Sequence, residues 1–219
     1  MKHPQRSARQ AFTLVEMLLV VAVIALLIAM ILPALASVRR QASYTLCQTR
    51  LRQVHNASTV HASDHVGYFP QRPAGTYMPH NYQGGSFNMN ESFFLPYLGQ
   101  RYPIAFCAGE LDRVRNPDVF AGYDSVHTTF QYLNYVGGQW LVPEPKLARS
   151  SAEGRYALWT CLTTLKDSGN YLGHDIPELP REPTGQNAAR VDGAVEWVPW
   201  EQMEPAVLVL AHYFYWPVP

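Results

Sequence analysis

The chain has 219 residues, of which 47% are hydrophobic and 16% are charged, so it can bury a core and is not a disordered tail. Seventeen basic and seventeen acidic side chains cancel, and we therefore expect no nucleic-acid partner. The three cysteines, Cys47, Cys107 and Cys161, form no CxxC pair, which excludes a zinc ribbon and a thioredoxin-like redox motif.

The N-terminal segment is strongly apolar. Between residues 12 and 32 the polar side chains are Thr13 and Glu16. At about 1.5 Å per residue, a helix over this segment is roughly 30 Å long, the thickness of a bilayer's hydrocarbon core. The segment is apolar on every face, which favours a membrane span over a buried helix of a soluble protein. Three basic residues lie in the leader before it: Lys2, Arg6 and Arg9.

Two kinds of processing fit this segment. The basic leader, the apolar run and Ala34-Leu35-Ala36 match the outline of a secretory signal cleaved after Ala36, which would release a soluble binding protein or enzyme. Glu16 disfavours that alternative, because a carboxylate carried to the bilayer centre costs about 2.5–3.5 kcal/mol. A carboxylate at this position indicates a cationic partner.

The run Ala11-Phe12-Thr13-Leu14-Val15-Glu16, followed by the apolar segment and Pro33, resembles the N-terminus of type IV prepilins and type II secretion pseudopilins. In that family a prepilin peptidase cuts before the phenylalanine and methylates its new amine. The resemblance implies cleavage between Ala11 and Phe12, although Ala11 stands where the family normally has glycine. It also implies that Glu16 pairs with the Phe12 amine of a neighbouring subunit during assembly.

The resemblance implies a function, partners and a location. We expect a non-enzymatic structural subunit of a type IV pilus-like or type II secretion pseudopilus assembly. Its partners would be prepilin peptidase, other pilin or pseudopilin subunits, the inner-membrane assembly machinery and membrane lipid. The protein would be a single-pass protein of the bacterial inner membrane, with its C-terminal domain periplasmic or extracellular.

The predicted fold class is α+β and pilin-like, with a long N-terminal helix packed on an antiparallel β-sheet. The helix would have a membrane half and an amphipathic half. The predicted organisation is a basic leader (1–11), a transmembrane and assembly helix (12–36), its amphipathic continuation (37–66) and a globular α+β head (67–219).

Beyond the apolar run, Pro33 either kinks one long helix or separates two helices. No glycine or proline follows until Gly67, where the helix is predicted to stop. Residues at alternating steps of three and four form one predicted buried stripe: Tyr44, Cys47, Leu51, Val54, Ser58, His61 and His65. His61 and His65 share a face, but no third ligand in matching register is visible, so we predict packing histidines and no metal.

In the head, composition predicts a few elements. They are a loop at 71–85, a short helix at 92–98, strands at 129–136 and 156–163, and a core strand in the apolar tail from 206 to 216. The sequence has no G-x-S-x-G elbow, P-loop or HExxH motif, so we expect no catalytic residues and no cofactor.

The dipeptide Asp192-Gly193 lies between two apolar-containing arms in residues 188–198. This dipeptide is typical of a tight type I′ hairpin turn, and we predict such a hairpin here. Turn chemistry and hairpin packing account for both residues without a ligand.

A narrower resemblance covers both ends of the chain. The segments Leu51-Arg52-Gln53 and Gly67-Tyr68-Phe69-Pro70, with Cys47 ahead of the helix leucine, look like pseudopilin-like proteins of planctomycete- and verrucomicrobia-type bacteria. Phe106-Cys107 matches the start of their second cysteine segment, and Asn187 precedes the Asp-Gly hairpin as it does in them. Glu182 stands where those proteins usually have histidine.

Disulfides persist outside the cytoplasm, which makes the cysteines candidates for a crosslink. Cys47 and Cys107 are the candidate pair, joining helix and sheet and leaving Cys161 alone on a buried strand. The alternative is three buried thiols.

Overall fold

In the computed structural model, helix α1 spans Leu14–Asp64 without a break. Pro33 lies inside it, so the alternative of two helices is wrong. The structure describes residues 14–71, 83–84, 87–99, 104, 107, 130–132, 134, 139–140, 149–150, 152–165, 171–172, 182–209 and 212–217. The chain divides into two compact units, Met1–Ala42 and Ser43–Pro219.

The C-terminus of α1 is a left-handed cap. The Gly67 N–H donates to the Ala62 carbonyl (2.7 Å), the long-range bond of a Schellman motif. In this motif the residue before Gly67 adopts the left-handed conformation, and it is Val66 with φ of 54°. Gly67 itself has φ of 84°. The predicted end of the helix is confirmed.

Most of the predicted stripe on α1 is buried. Cys47, Leu51, Val54 and Ser58 are fully enclosed. The prediction is wrong for His65, which is exposed at the C-terminal end of the helix, although its N–H still donates to the His61 carbonyl (3.0 Å). Two stripe residues, Tyr44 and His61, are half-buried. Three neighbours of the stripe are also buried: His55, Ala57 and Ala62.

The described strands are short and pair antiparallel. In chain order they are β1 (Gln83–Gly84), β2 (Phe87–Asn88), β3 (Phe130–Tyr132), β4 (Gln139–Trp140), β5 (Ala157–Cys161), β6 (Thr164–Leu165), β7 (Tyr171–Leu172), β8 (Gly185–Arg190), β9 (Val195–Pro199), β10 (Met203–Val209) and β11 (His212–Pro217). A four-stranded sheet has the order β3-β5-β8-β9, and a five-stranded sheet has the order β4-β10-β11-β6-β7. Strands β1 and β2 pair with each other.

The remaining predictions for the head have mixed outcomes. The short helix is present as a π-helical turn (Asn90–Phe94) that runs into α2 (Leu95–Leu98). Both predicted strands are present as β3 and β5. A short 3-10 helix (Trp200–Gln202) precedes β10. Most of the predicted loop at 71–85 lies outside the described residues.

The apolar tail forms two strands, so the prediction of one core strand is wrong. Strands β10 and β11 pair antiparallel, with Met203 opposite Pro217 and Val209 opposite His212. The reversal falls inside a run that lacks glycine, proline and asparagine. Composition therefore carries no turn signal where the chain reverses.

The part of α1 that follows Ala42 packs against the four-stranded sheet. The Trp159 indole on β5 donates a hydrogen bond to the Ser58 hydroxyl (2.9 Å) and stacks on Tyr132 of β3 at 4.1 Å between ring centroids. Near the other end of this contact, the rings of Tyr44 and Trp197 are 4.8 Å apart. The predicted α+β class, a long helix packed against an antiparallel sheet, is confirmed.

Candidate functional site

The first unit presents its apolar residues on the outside. Each large apolar side chain from Leu14 to Leu32 is exposed. Among the described residues, α1 is the one helix whose length and composition would allow it to cross a membrane, a test that a signal sequence also passes. The predicted cleavage residues, Ala11 and Phe12, lie outside the described residues.

The two predicted assembly residues both lie on α1. Glu16 is in its first turn, where the positive end of the helix dipole favours a carboxylate. Pro33 lies inside the helix, where it cannot donate a backbone hydrogen bond to the preceding turn. One turn further on, the Ser37 hydroxyl donates to the Ala34 carbonyl (2.8 Å).

The second unit contains a cluster of three thiols. Cys47 comes from α1, Cys161 from the last position of β5, and Cys107 from the chain between α2 and β3. Their Sγ atoms all lie within 4.8 Å of one another, and those of Cys47 and Cys161 are 2.9 Å apart. All three side chains are completely buried.

The walls of this thiol cluster come from the neighbouring strands. On one side of Cys161 is Phe130, its partner on β3. On the other side, the register of β5 and β8 places Asn187 opposite Cys161. Asn187 is completely buried, and neither its amide nitrogen nor its amide oxygen has a hydrogen-bond partner of full geometry. A buried amide that lacks well-aligned hydrogen bonds is costly, and its neighbour here is the Cys47 thiol, whose pKa it lowers.

Two of the three thiols have shifted pKa values. Burial alone would raise the pKa of Cys47, but hydrogen bonds from Cys107 and Cys161, the adjacent Asn187 amide and the positive charge of Arg50 outweigh burial and lower that pKa. Burial raises the pKa of Cys161 well above its usual value, and the neighbouring thiols raise it further.

The structure corrects the prediction about Cys161. It is not alone on its strand, because the pairing of β5 beneath α1 brings it against Cys47. In this structure all three cysteines are free thiols. The Cys47–Cys107 disulfide is therefore not formed here and stays a prediction. Because the three cysteines are far apart along the chain, nothing in the sequence indicated that they would converge.

The Asp192-Gly193 hairpin is present between β8 and β9 and lies against α1. The predicted type I′ turn is wrong, because that turn needs positive φ at both central residues and Asp192 does not have it. Instead, the Gly193 N–H donates to the Arg190 carbonyl (3.0 Å) and Gly193 has φ of 93°, a type I turn with a glycine bulge. The His55 ring donates to the Val191 carbonyl (3.2 Å) and fixes the loop to the helix.

The second histidine group is at the end of α1. The rings of His61 and His65 are stacked 3.9 Å apart, and the His61 ring is tilted over Tyr97 at 5.1 Å. The Nδ1 of His61 donates to the Tyr68 carbonyl (3.1 Å). This arrangement agrees with the prediction of a packing role for His61.

Comparison with known proteins identifies the N-terminal motif. Residues 6–32 match the prokaryotic N-terminal methylation motif. No curated protein and no solved structure matches the chain. The chain thus combines a prepilin-type cleavage and methylation motif with a pilin-like α+β architecture. The match ends before Pro33 and covers neither the thiol cluster nor the hairpin.

Proposed function

We propose that this protein is a structural, non-enzymatic subunit of a type IV pilus-like or type II secretion pseudopilus assembly. The observation that carries the proposal is the methylation motif over residues 6–32, which includes the apolar start of α1. Prepilin peptidase would cut between Ala11 and Phe12 and methylate the new amine of Phe12. The apolar helix would hold the subunit in the inner membrane, with residues after Ala36 on the outer side.

Assembly would depend on one charge pair. Removal of the leader creates a cationic amine at Phe12, four residues before Glu16. Each of these charges is costly in an apolar environment by itself, and pairing between neighbouring subunits offsets that cost. Pro33 would contribute by leaving a carbonyl of the preceding turn without its helical donor, which lets the helix bend locally.

The resemblance to planctomycete- and verrucomicrobia-type pseudopilin-like proteins supports the pseudopilus as the more specific proposal. Cys47 lies on the helix face against the sheet, and the Asp192-Gly193 loop is bonded to that helix through His55. Both features of the resemblance therefore belong to the contact between helix and sheet. Packing of the helix on the sheet therefore accounts for Cys47 and for the Asp192-Gly193 loop.

Mass spectrometry of the mature N-terminal peptide from native membranes tests this function. A peptide that begins at N-methylated Phe12 is expected. A peptide that begins at Ser37 would overturn the proposal and support a secretory signal that releases a soluble protein. A peptide that retains the leader would show that prepilin peptidase does not process the chain.

The residue before the cut provides a second measurement. An Ala11→Gly variant restores the residue that the family normally has and should be cleaved at least as fast as the native chain. If native chain and variant are both uncut in cells that process another prepilin, the proposed processing is wrong.

A further inference from the structure

The thiol cluster has one cysteine more than a disulfide uses. Its members come from a helix, a strand and the chain between α2 and β3, so three separate segments position sulfur at one point. All three sulfurs are removed from water. Three convergent, buried sulfur ligands are a donor set for a soft metal ion.

We propose that Cys47, Cys107 and Cys161 form a binding site for a thiophilic monovalent metal ion of the Cu(I) class. Metal–thiolate bonds are about 2.3 Å long, so an ion centred among three sulfurs in a plane needs sulfur separations of about 4 Å. The three Sγ atoms, all within 4.8 Å of one another, are close to that triangle. The Cys47–Cys161 separation of 2.9 Å must widen by about 1 Å for such bonds to form.

The number of ligands favours Cu(I) over Zn²⁺. Structural zinc sites are almost always tetrahedral with four protein ligands, whereas soft thiolates also select Cu(I). Within the described part of the chain, no histidine, carboxylate or further cysteine joins the three thiols. A site with three sulfurs therefore suits an ion that accepts three ligands.

Asn187 is the second observation that points to a ligand. Its amide is fully buried beside Cys47 and lacks a hydrogen-bond partner of full geometry. Once the thiols are ionised and bound to a metal, the amide N–H becomes a donor to an anionic sulfur, a role that groups around metal ligands commonly have. Arg50, half-buried and one turn from Cys47, adds positive charge near the anionic sulfurs.

A competition titration tests the site on the full chain in detergent micelles, reduced with a phosphine and kept free of oxygen. Cu(I) is supplied as its complex with a chromophoric chelator, and Zn²⁺ is titrated in parallel. We expect one Cu(I) per chain, withdrawn from the chelator, and X-ray absorption that shows three sulfur ligands at about 2.3 Å. Zn²⁺ should bind more weakly.

Variants assign the ligands. Cys47→Ser, Cys107→Ser and Cys161→Ser should each weaken Cu(I) binding by more than about 100-fold. Asn187→Leu should weaken it by about 10- to 100-fold, the usual effect of losing a group that supports a ligand. Gln186→Leu is the matched control, because Gln186 is the fully buried neighbour on β8 and points to the opposite face. It should leave the Cu(I) affinity unchanged.

Several results would overturn the proposal. They are Cu(I) binding that survives Cys107→Ser or Cys161→Ser, tighter binding of Zn²⁺, or fewer than three sulfurs by X-ray absorption. If the native chain is isolated with a mass lower by two hydrogens and with a single thiol that can be alkylated, two of the cysteines form a disulfide instead. If circular dichroism shows that a serine variant does not fold, the X-ray absorption spectrum of the native chain and the comparison with Asn187→Leu still test the site. The mature N-terminus is measured separately, so a failure here leaves the proposed assembly function unaffected.

Discussion

The indole nitrogen of Trp159 donates a hydrogen bond to the Ser58 hydroxyl, 2.9 Å away, across the contact between α1 and the four-stranded sheet. The same hydroxyl donates to the Val54 carbonyl one turn earlier (2.9 Å). Both Ser58 and Trp159 are completely buried. A polar pair therefore holds one register of helix on sheet inside an otherwise apolar interface.

Ser58→Ala should lower the free energy of unfolding by about 1–3 kcal/mol, because the buried indole N–H of Trp159 loses this acceptor. Urea denaturation of the chain in micelles measures the change. Ser63→Ala is the matched control, since the Ser63 hydroxyl makes the same bond to the preceding turn (Thr59 carbonyl, 3.1 Å) but is exposed. Equal effects of the two substitutions would contradict the importance of the indole bond.

Val66→Gly should raise the free energy of unfolding by about 1 kcal/mol, because a β-branched residue is strained in the left-handed conformation. Val66 has φ of 54° and is 87% exposed, so its removal costs little packing. Gly67→Ala provides the opposite case. There φ is 84° and an added Cβ would meet only an ordinary contact at 3.7 Å, so the backbone strain alone should destabilise the cap. Thermal denaturation of both variants checks the two signs.

Gly185→Ala should destabilise the protein more than Gly99→Ala. Both glycines have positive φ, but a Cβ at Gly185 would lie 2.3 Å from the Val198 carbonyl oxygen and 2.9 Å from the Trp197 ring. At Gly99 no atom of the described residues lies within 4 Å of the added carbon. The Val198 oxygen belongs to the paired strand β9 and cannot move alone, so we expect a loss of several kcal/mol for Gly185→Ala and about 1 kcal/mol for Gly99→Ala. Similar losses measured by chemical denaturation would show that β9 yields to the new side chain.

The stability of the second unit should fall as the pH decreases through the range in which His61 titrates. Burial lowers the pKa of His61 and outweighs the hydrogen bond to the Tyr68 carbonyl, which raises it. Smaller effects come from His65, which lowers the pKa, and from Asp64, which raises it. The unfolded chain therefore binds this proton more readily than the folded one. The contribution of His61 is complete above the unfolded pKa of about 6.5 and is lost as the pH falls from there to the lower folded value.

His61→Asn keeps a side-chain donor for the Tyr68 carbonyl and removes the titrating ring. Unfolding free energies of the native chain and the variant, measured between about pH 5 and 8, should differ in slope around the unfolded pKa of histidine. Parallel curves would mean that His61 has the same pKa in both states.

Glu16→Gln should leave membrane insertion intact and reduce incorporation into assemblies that also contain native subunits, by about tenfold or more, because an unpaired amine in an apolar interface is costly. Glu16→Asp is the control that retains the charge. The ratio of variant to native chain in sheared assemblies, compared with that in the membrane fraction, gives the effect. An unchanged ratio for Glu16→Gln would argue against charge pairing.

The elements that the sequence predicted correctly depend on local chemistry. The apolar run and the absence of helix breakers up to Gly67 specify α1, since hydropathy and backbone freedom act within a few residues. Asp192-Gly193 likewise specifies a chain reversal. The turn type was wrong because a type I turn with a glycine bulge and a type I′ turn share the same dipeptide, and the loop length decides between them.

By itself, then, the sequence determined a prepilin-type N-terminus, a long helix and a hairpin. Only the tertiary structure decided that β10 and β11 fold back on each other, that Asn187 is buried beside sulfur, and that Cys161 meets Cys47. These relationships depend on how strands pair and on which face of α1 lies on the sheet. Cys47 and Cys161 are more than a hundred positions apart, and the other two relationships depend on strand register and burial within the second unit, so none of them has a local signal in the sequence.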